Sequence, residues 1–184
     1  MSEKESNSHT VSEIILRPVG VVRNRLKKPT LAAGPDDIEL SRDTEAVKKR
    51  VEEIQDLVSE IVIDNRLEGI LDGIEDFSHI LVLYWPHQVA DQSRTLTRIH
   101  PMGRKDFPLV GVFATCSPAR PNPVLVTAVR FLERNQNVLK VQGLEAIDGS
   151  PVIDIKPYNP HYYFVENVKL SQWMIQIMEE IAEE

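Results

Sequence analysis

The sequence predicts a mainly β protein, a small antiparallel β-barrel that carries an inserted helix and a C-terminal helix. Three observations predict it. Short apolar runs recur along the chain and are divided by turn residues, in the manner of strands joined by hairpins. Strands do not alternate with helices, which argues against a parallel, doubly wound sheet. A set of antiparallel strands this size leaves no exposed edge if it closes on itself.

Taken in order, Glu13 to Asn24 reads as a strand, with Pro18 marking an edge or a bulge because proline cannot donate to a ladder. The loop KKPTLAAGPDD follows. Residues 44–61 read as a helix, since Val47, Val51, Ile54, Val58 and Ile61 form one apolar stripe; Asp43 or Thr44 is its N-cap. Ile61-Val62-Ile63 begins a short strand, and Gly69 and Asp72-Gly73 turn the chain. His79 to Trp85 is a near-continuous apolar run that suits a central strand, stopped by Pro86. Residues 88–108 are polar and basic and read as a long loop.

Gly111-Val112-Phe113-Ala114 and Val124-Leu125-Val126 look like strands, and between them lies the proline-rich stretch Cys116 to Pro123. Val124–Glu133 and Val138–Ala146 form a hairpin with its tip at Arg134-Asn135-Gln136-Asn137. Asp148-Gly149-Ser150-Pro151 is a turn, Val152 to Lys156 a last strand, and Glu166 to Ile181 an amphipathic helix. The expected organisation is a disordered lead-in over 1–12, a barrel domain over 13–165 with its helical insertion, and a C-terminal helix over 166–184.

A hydrophobic fraction of 42% and a charged fraction of 27% suit a globular protein. No apolar run reaches the roughly 18 residues of a membrane span, and the first ten residues lack a signal-peptide core. The single cysteine, Cys116, excludes an internal disulfide and an all-cysteine zinc site, so a reducing, cytoplasmic setting is expected, with no metal and no membrane partner. A net charge of −7 argues against simple non-specific nucleic-acid binding. Two runs nevertheless carry bases and no acid: Arg17, Arg23, Arg25, Lys27 and Lys28, then Arg94, Arg98, Arg104 and Lys105. They are either solvated faces or a basic surface.

No glycine-rich phosphate loop and no nucleophile elbow is present. His79 and His87, eight residues apart, are a weak metal signal; His79 suits a partly buried strand position, and His87 a site at a strand end. Cys116 reads as a small apolar residue rather than a nucleophile. Asp154 and Lys156 share a strand face and make either an ion pair or a polar site. Arg120 offers a planar fork for a carboxylate or phosphate and Asn122 a donor and an acceptor, both on a loop stiffened by prolines.

Five stretches together resemble one family. Leu71-x-Gly73-Ile74-x-x-Phe77-Ser78-His79-Ile80, Tyr84-x-x-His87, Gly111 to Thr115, Ser117-Pro118-x-Arg120-Pro121-Asn122-Pro123, and Asp148-Gly149-Ser150-Pro151-Val152-x-Asp154-Ile155-Lys156-Pro157-Tyr158 follow the TrmO (TsaA-like) pattern in the same order. The resemblance implies a small antiparallel barrel acting as a homodimer. It also implies S-adenosyl-L-methionine as cofactor and methyl transfer to N6 of threonylcarbamoyladenosine at position 37, in the tRNA anticodon loop. Carried over motif by motif, the cofactor contacts are Pro29, Thr30 and Leu31; His87 and Gln88; Val126; and Glu145, Ala146, Ile147 and Asp148. The proline loop adds Cys116, which stands where the family has arginine, together with Arg120 as its substitute and Asn122. Leu125 stands at a family glycine, and one helix replaces a larger C-terminal domain. Asp154, Lys156 and Tyr158 are the catalytic candidates, with Asp154 as base and Lys156 as electrostatic stabiliser. A cofactor-binding barrel without catalysis, a methyltransferase on another small-molecule or RNA substrate, and an interaction module using the acidic helices are the alternatives.

Overall fold

Alternation is strongest where the barrel forms. Ser59, Ile61 and Ile63 are buried between exposed or half-buried neighbours, as are Ile80, Val82 and Tyr84, and Leu139 and Val141. A period of two sends each set to one face of its strand. The computed structural model describes residues 13–29, 32–33, 38–39 and 44–182. Its strands are β1 (Gly20–Arg23), β2 (Ala32–Ala33), β3 (Ile38–Glu39), β4 (Val58–Ile63), β5 (His79–Tyr84), β6 (Arg98–Ile99), β7 (Val110–Gly111), β8 (Leu125–Asn135), β9 (Val138–Gln142) and β10 (Pro151–Pro157). Its helices are α1 (Thr44–Gln55) and α2 (Gln172–Ala182).

Six strands close into an antiparallel barrel in the order β1-β10-β5-β8-β9-β4. The core fills its interior with Val22, Ile61, Ile80, Val82, Val129, Leu139, Val141, Leu144 and Val152. Closure depends on β1, only four residues long, which pairs with β10 on one side and β4 on the other. Gly20 makes that possible, because a Cβ there would stand 2.5 Å from the Val62 carbonyl oxygen. The β8–β9 hairpin turns through Gln136, which takes the left-handed region at φ 54°.

Several boundaries differ from expectation. The first strand covers Gly20–Arg23 rather than Glu13–Asn24, since residues 13–18 are exposed and find no partner strand. The helix expected over 44–61 ends at Gln55, and Val58–Ile63 is a strand. There the alternating burial of Ser59, Ile61 and Ile63 prevails over the continued helical stripe. The expected cap at Asp43 and the lead-in over 1–12 lie outside the described residues.

The expected long loop has structure of its own. A β6–β7 ladder and short 3-10 turns bury Ser93, Ile99, Pro101 and Phe107. Val112–Ala114 is one such turn, not a strand. The C-terminal helix starts at Gln172, with the Ser171 carbonyl accepting from Met174 and Ile175, so Leu170 lies outside it and is exposed.

Candidate functional site

One end of the barrel gathers the ends of β1, β5 and β9 and the starts of β4, β8 and β10. Here the segment after β1 meets the segment before β10. Asn24 is the joint. Its amide nitrogen donates to Ser59 Oγ and to the Ala146 carbonyl, each at 2.9 Å, and its Oδ1 accepts from the Leu26 N–H at 2.9 Å. The Asn24 N–H donates to Asp148 Oδ1 at 3.1 Å, and the Asp148 N–H donates to the Leu26 carbonyl at 2.7 Å. Lys27 Nζ lies 2.7 Å from Asp148 Oδ2 and 3.1 Å from its acceptor, the Asn24 carbonyl. Hydrogen bonding from the Lys27 ammonium, then from the Asn24 N–H, holds the Asp148 carboxyl below its ordinary pKa.

His87 and Gln88 join this cluster from beyond β5. Gln88 Nε2 donates to the Lys27 carbonyl at 3.5 Å, and His87 Nδ1 is 3.4 Å from Ser150 Oγ. Gly149 sits at φ 83°, in the left-handed region that favours glycine, with its backbone packed beside the His87 ring. Pro29, Glu145, His87 and Gln88 are exposed around the cluster. Ala146 and Ile147 are buried, so only their backbones can meet a ligand. Burial raises the pKa of Glu145, opposed by Arg50, although its side chain still meets solvent. Thr30 and Leu31 lie outside the described residues. Inside the barrel, burial lifts the Tyr84 hydroxyl to about 12; it lies 3.3 Å from Thr127 Oγ1.

The catalytic candidates lie on the outer wall, where a bulge aims them. Val152 is buried in the core opposite Tyr84, and simple alternation would send Asp154 inward too. The register shifts between Val152 and Asp154, so Asp154 pairs with Leu83 and Lys156 with Leu81, while Ile155 packs against the core. One extra residue thus turns both charged groups outward. They form an ion pair of 2.7 Å, and the Asp154 carboxylate raises the Lys156 pKa by hydrogen bonding and by charge. Across the sheet Leu83 pairs in turn with Val126, which is 60% exposed. Tyr158 follows, its ring stacked on Tyr163 with centroids 5.7 Å apart.

The proline loop enters β8 at this end, but among the described residues no hydrogen bond or ion pair joins it to the His87 cluster. Arg120 is engaged by its own loop through Nε and Nη2. Its guanidinium donates to the carbonyls of Ser117 at 2.7 Å, Val112 at 3.4 Å and Thr115. The reason is local: prolines remove backbone donors, and the five-donor guanidinium takes up the Ser117 and Thr115 carbonyls and shares that of Val112 with Thr115. Asn122 and Cys116 are exposed, so Cys116 does not serve as a buried apolar filler.

His79 is exposed beside Ser78, at the opposite end of β5 from His87, so the two cannot share a metal. The second basic run is partly neutralised. Arg104 is held by Asp106 and by Glu180 of α2, and Arg94 pairs with Asp91 at 3.0 Å while lying over the Trp85 ring. Sequence reasoning missed Asn24, Lys27 and Gly149 as members of the cluster. The basic run through Lys27 and the turn at Gly149 were the available signals.

A small closed antiparallel barrel, with a polar cluster of loops at one end and a charged pair on the adjoining wall, is the class the fold and site define. The chain belongs to the family of the tRNA-methyltransferase O N-terminal domain, which matches residues 42–163. It is 43% identical over 146 residues to a "probable S-adenosyl-L-methionine-binding protein" of Methanothermobacter thermautotrophicus, covering 79% of this chain and 90% of that one. It is 38% identical over 92 residues to the tRNA (adenine(37)-N6)-methyltransferase of Escherichia coli, covering 48% of this chain and 39% of that enzyme. Crystalline TrmO from Pseudomonas aeruginosa shares the fold, with a TM-score of 0.61 and 23% identity over 87% of this chain and 62% of its own length.

Proposed function

We propose that this chain binds S-adenosyl-L-methionine at the loop end of the barrel and transfers its methyl group to N6 of threonylcarbamoyladenosine at position 37 of tRNA, as a homodimer. The observation that carries the reading is the convergence of Lys27, His87, Gln88 and Asp148, four residues from three distant segments, on one end of the barrel. Family membership and the printed names of the Methanothermobacter and Escherichia relatives support the cofactor and the reaction.

The residues fit the cofactor. A nucleoside needs donors and acceptors for its base and hydroxyls. The amide of Gln88, the imidazole of His87 and the backbones of Lys27–Pro29 and Glu145–Asp148 supply them. Thr30, Leu31, Cys116, Asn122 and Val126 complete the proposed contacts. When bound, the cofactor supplies a methyl group already activated on a sulfonium. The chain's own task is positioning and proton handling. Asp154 takes the acceptor N6 proton, and Lys156, kept protonated by Asp154, stabilises negative charge developing on the acceptor. The Tyr158–Tyr163 stack offers a ring face to an unpaired base.

The outer wall beside this site is open. Val126 and Phe164 are 60% and 70% exposed, and Ile14 and Ile15 are also bare, apolar side chains of the kind a second copy would cover. Among the described residues of the two basic runs, exposed Arg17, Arg23, Arg25, Lys28, Arg98 and Lys105 form no ion pair and can meet tRNA phosphates. No described helix is long and apolar enough to cross a membrane.

A second reading, cofactor binding without catalysis, is favoured by Arg120, whose commitment to its own loop leaves no arginine at the Cys116 position to meet a carboxylate. Methyl-labelled S-adenosyl-L-methionine and tRNA bearing unmethylated threonylcarbamoyladenosine separate the two. Label in the tRNA is the expected result. Bound cofactor with no label in any RNA removes the first reading and leaves the second or a small-molecule acceptor, and no binding removes all of them.

A further inference from the structure

We propose that Arg50 of α1 is a positioning residue for the S-adenosyl-L-methionine site, holding the Lys27–Pro29 segment in its binding form through the Lys28 carbonyl. This rests on the function proposed above. Among the described residues, four of the five carbonyls of residues 24–28 are taken, all but that of Arg25. Lys27 Nζ holds that of Asn24, the Asp148 N–H that of Leu26, and Gln88 that of Lys27. Arg50 Nη2 holds that of Lys28 at 3.1 Å, the last bond on the segment before Pro29 among the described residues.

Packing does not do this work. Leu26, Leu57 and Ile147 form a small buried cluster under the start of the segment. Beyond it, a cavity of about 260 Å³ lies between the segment and α1, lined by Arg25, Leu26, Arg50, Glu53, Ile54 and Leu57. The Arg50 guanidinium spans this gap, with Nη1 braced 3.2 Å from Glu53 Oε2 one turn along the helix. A planar fork can serve both partners at once, which an ammonium on a flexible stem does less well. Arg50 also acts on the second wall of the site, since its charge opposes the rise in the Glu145 pKa. The inserted helix therefore acts as a rigid strut for the cofactor loop, joining β4 to it through one side chain.

The test uses the full chain and two readouts. In Arg50→Met, the Leu26 and Asp148 amides, which donate to Asn24 Oδ1 and to the Leu26 carbonyl, should exchange with deuterium about tenfold faster without any ligand, and calorimetric Kd for S-adenosyl-L-methionine should rise about tenfold, as expected for loss of one charge-assisted hydrogen bond. Saturating cofactor should restore turnover to within about twofold, since the residue touches neither substrate nor cofactor. Arg50→Lys, which keeps the stem and the charge, should fall between; it also serves if Arg50→Met does not fold. Unchanged exchange, or faster exchange with unchanged Kd, overturns the inference while leaving the proposed function standing. A wild-type protein that takes up no cofactor overturns both.

Discussion

Replacing Asn24 with alanine tests whether one side chain holds the loop end of the barrel together. The substitution removes the bonds to Ser59 Oγ, the Ala146 carbonyl and the Leu26 N–H. Ser59 and Ala146 are each 1% exposed, so water cannot readily replace what they lose. At about 1 kcal/mol per hydrogen bond, and with Asn24 itself half-buried, the loss comes to about 2–3 kcal/mol. For a chain of this length that lowers Tm by roughly 5–10 °C. Thermal unfolding followed by circular dichroism reads it directly. Asn24→Asp keeps the acceptor for Leu26 but sets a carboxylate oxygen against the Ala146 carbonyl and near Asp148, so it should lose at least as much. Ser59→Ala removes one of the same bonds, so the double variant should be less destabilised than the sum of the singles. A Tm within about 1 °C of wild type for Asn24→Ala would refute the reasoning, because three bonds, two of them to segments far apart in sequence, cannot be lost at that cost.

Three further outcomes are expected. Gly20→Ala should cost about 1–3 kcal/mol in urea unfolding, since the new Cβ would meet the Val62 carbonyl at 2.5 Å across the closing seam; an unchanged midpoint would contradict that packing. Arg120→Met should release the Val112–Ser117 carbonyls and speed chymotryptic cleavage at exposed Phe113 roughly tenfold, and unchanged cleavage would mean the prolines alone hold the loop. Asp148, whose carboxyl is held below its ordinary pKa, stabilises the fold fully above the unfolded carboxylate value and loses that contribution as pH falls through the folded one. The gap in Tm between wild type and Asp148→Asn should therefore be present at pH 7 and shrink below about pH 4, and a constant gap would remove the Lys27 pairing as its cause.

The barrel was legible because its strands alternate, as Val138 to Gln142 does, or run near-continuously apolar, as His79 to Tyr84 does, and the turns between strands carry residues that fit left-handed backbone, such as Gly73 and Gly149. Closure was expected, but the means of it was not legible, because it rests on four residues of β1 and on the missing Cβ of Gly20, not on any periodicity. Helix ends were misjudged where an apolar stripe suits either period, as at Val58 and Ile61. The shared outward face of Asp154 and Lys156 followed from their spacing, but the bulge that turns the pair outward leaves no signature in Val152-Ile153-Asp154. Side-chain commitments were hidden as well. Arg120 and Arg104 read as ligand or phosphate contacts, and each is engaged by groups of its own chain, Arg104 by a carboxylate 76 residues away. Formal charge along a sequence does not show which charges are already paired in the fold.

The most direct test of the central claim is to titrate the ¹⁵N-labelled protein with S-adenosyl-L-methionine and map the amide shifts. Saturable shifts concentrated at Leu26, Lys27, His87, Gln88, Asp148 and Gly149 are the predicted result. No saturable shift, or shifts confined to the opposite end of the barrel around Asp64 and Arg134, would contradict it.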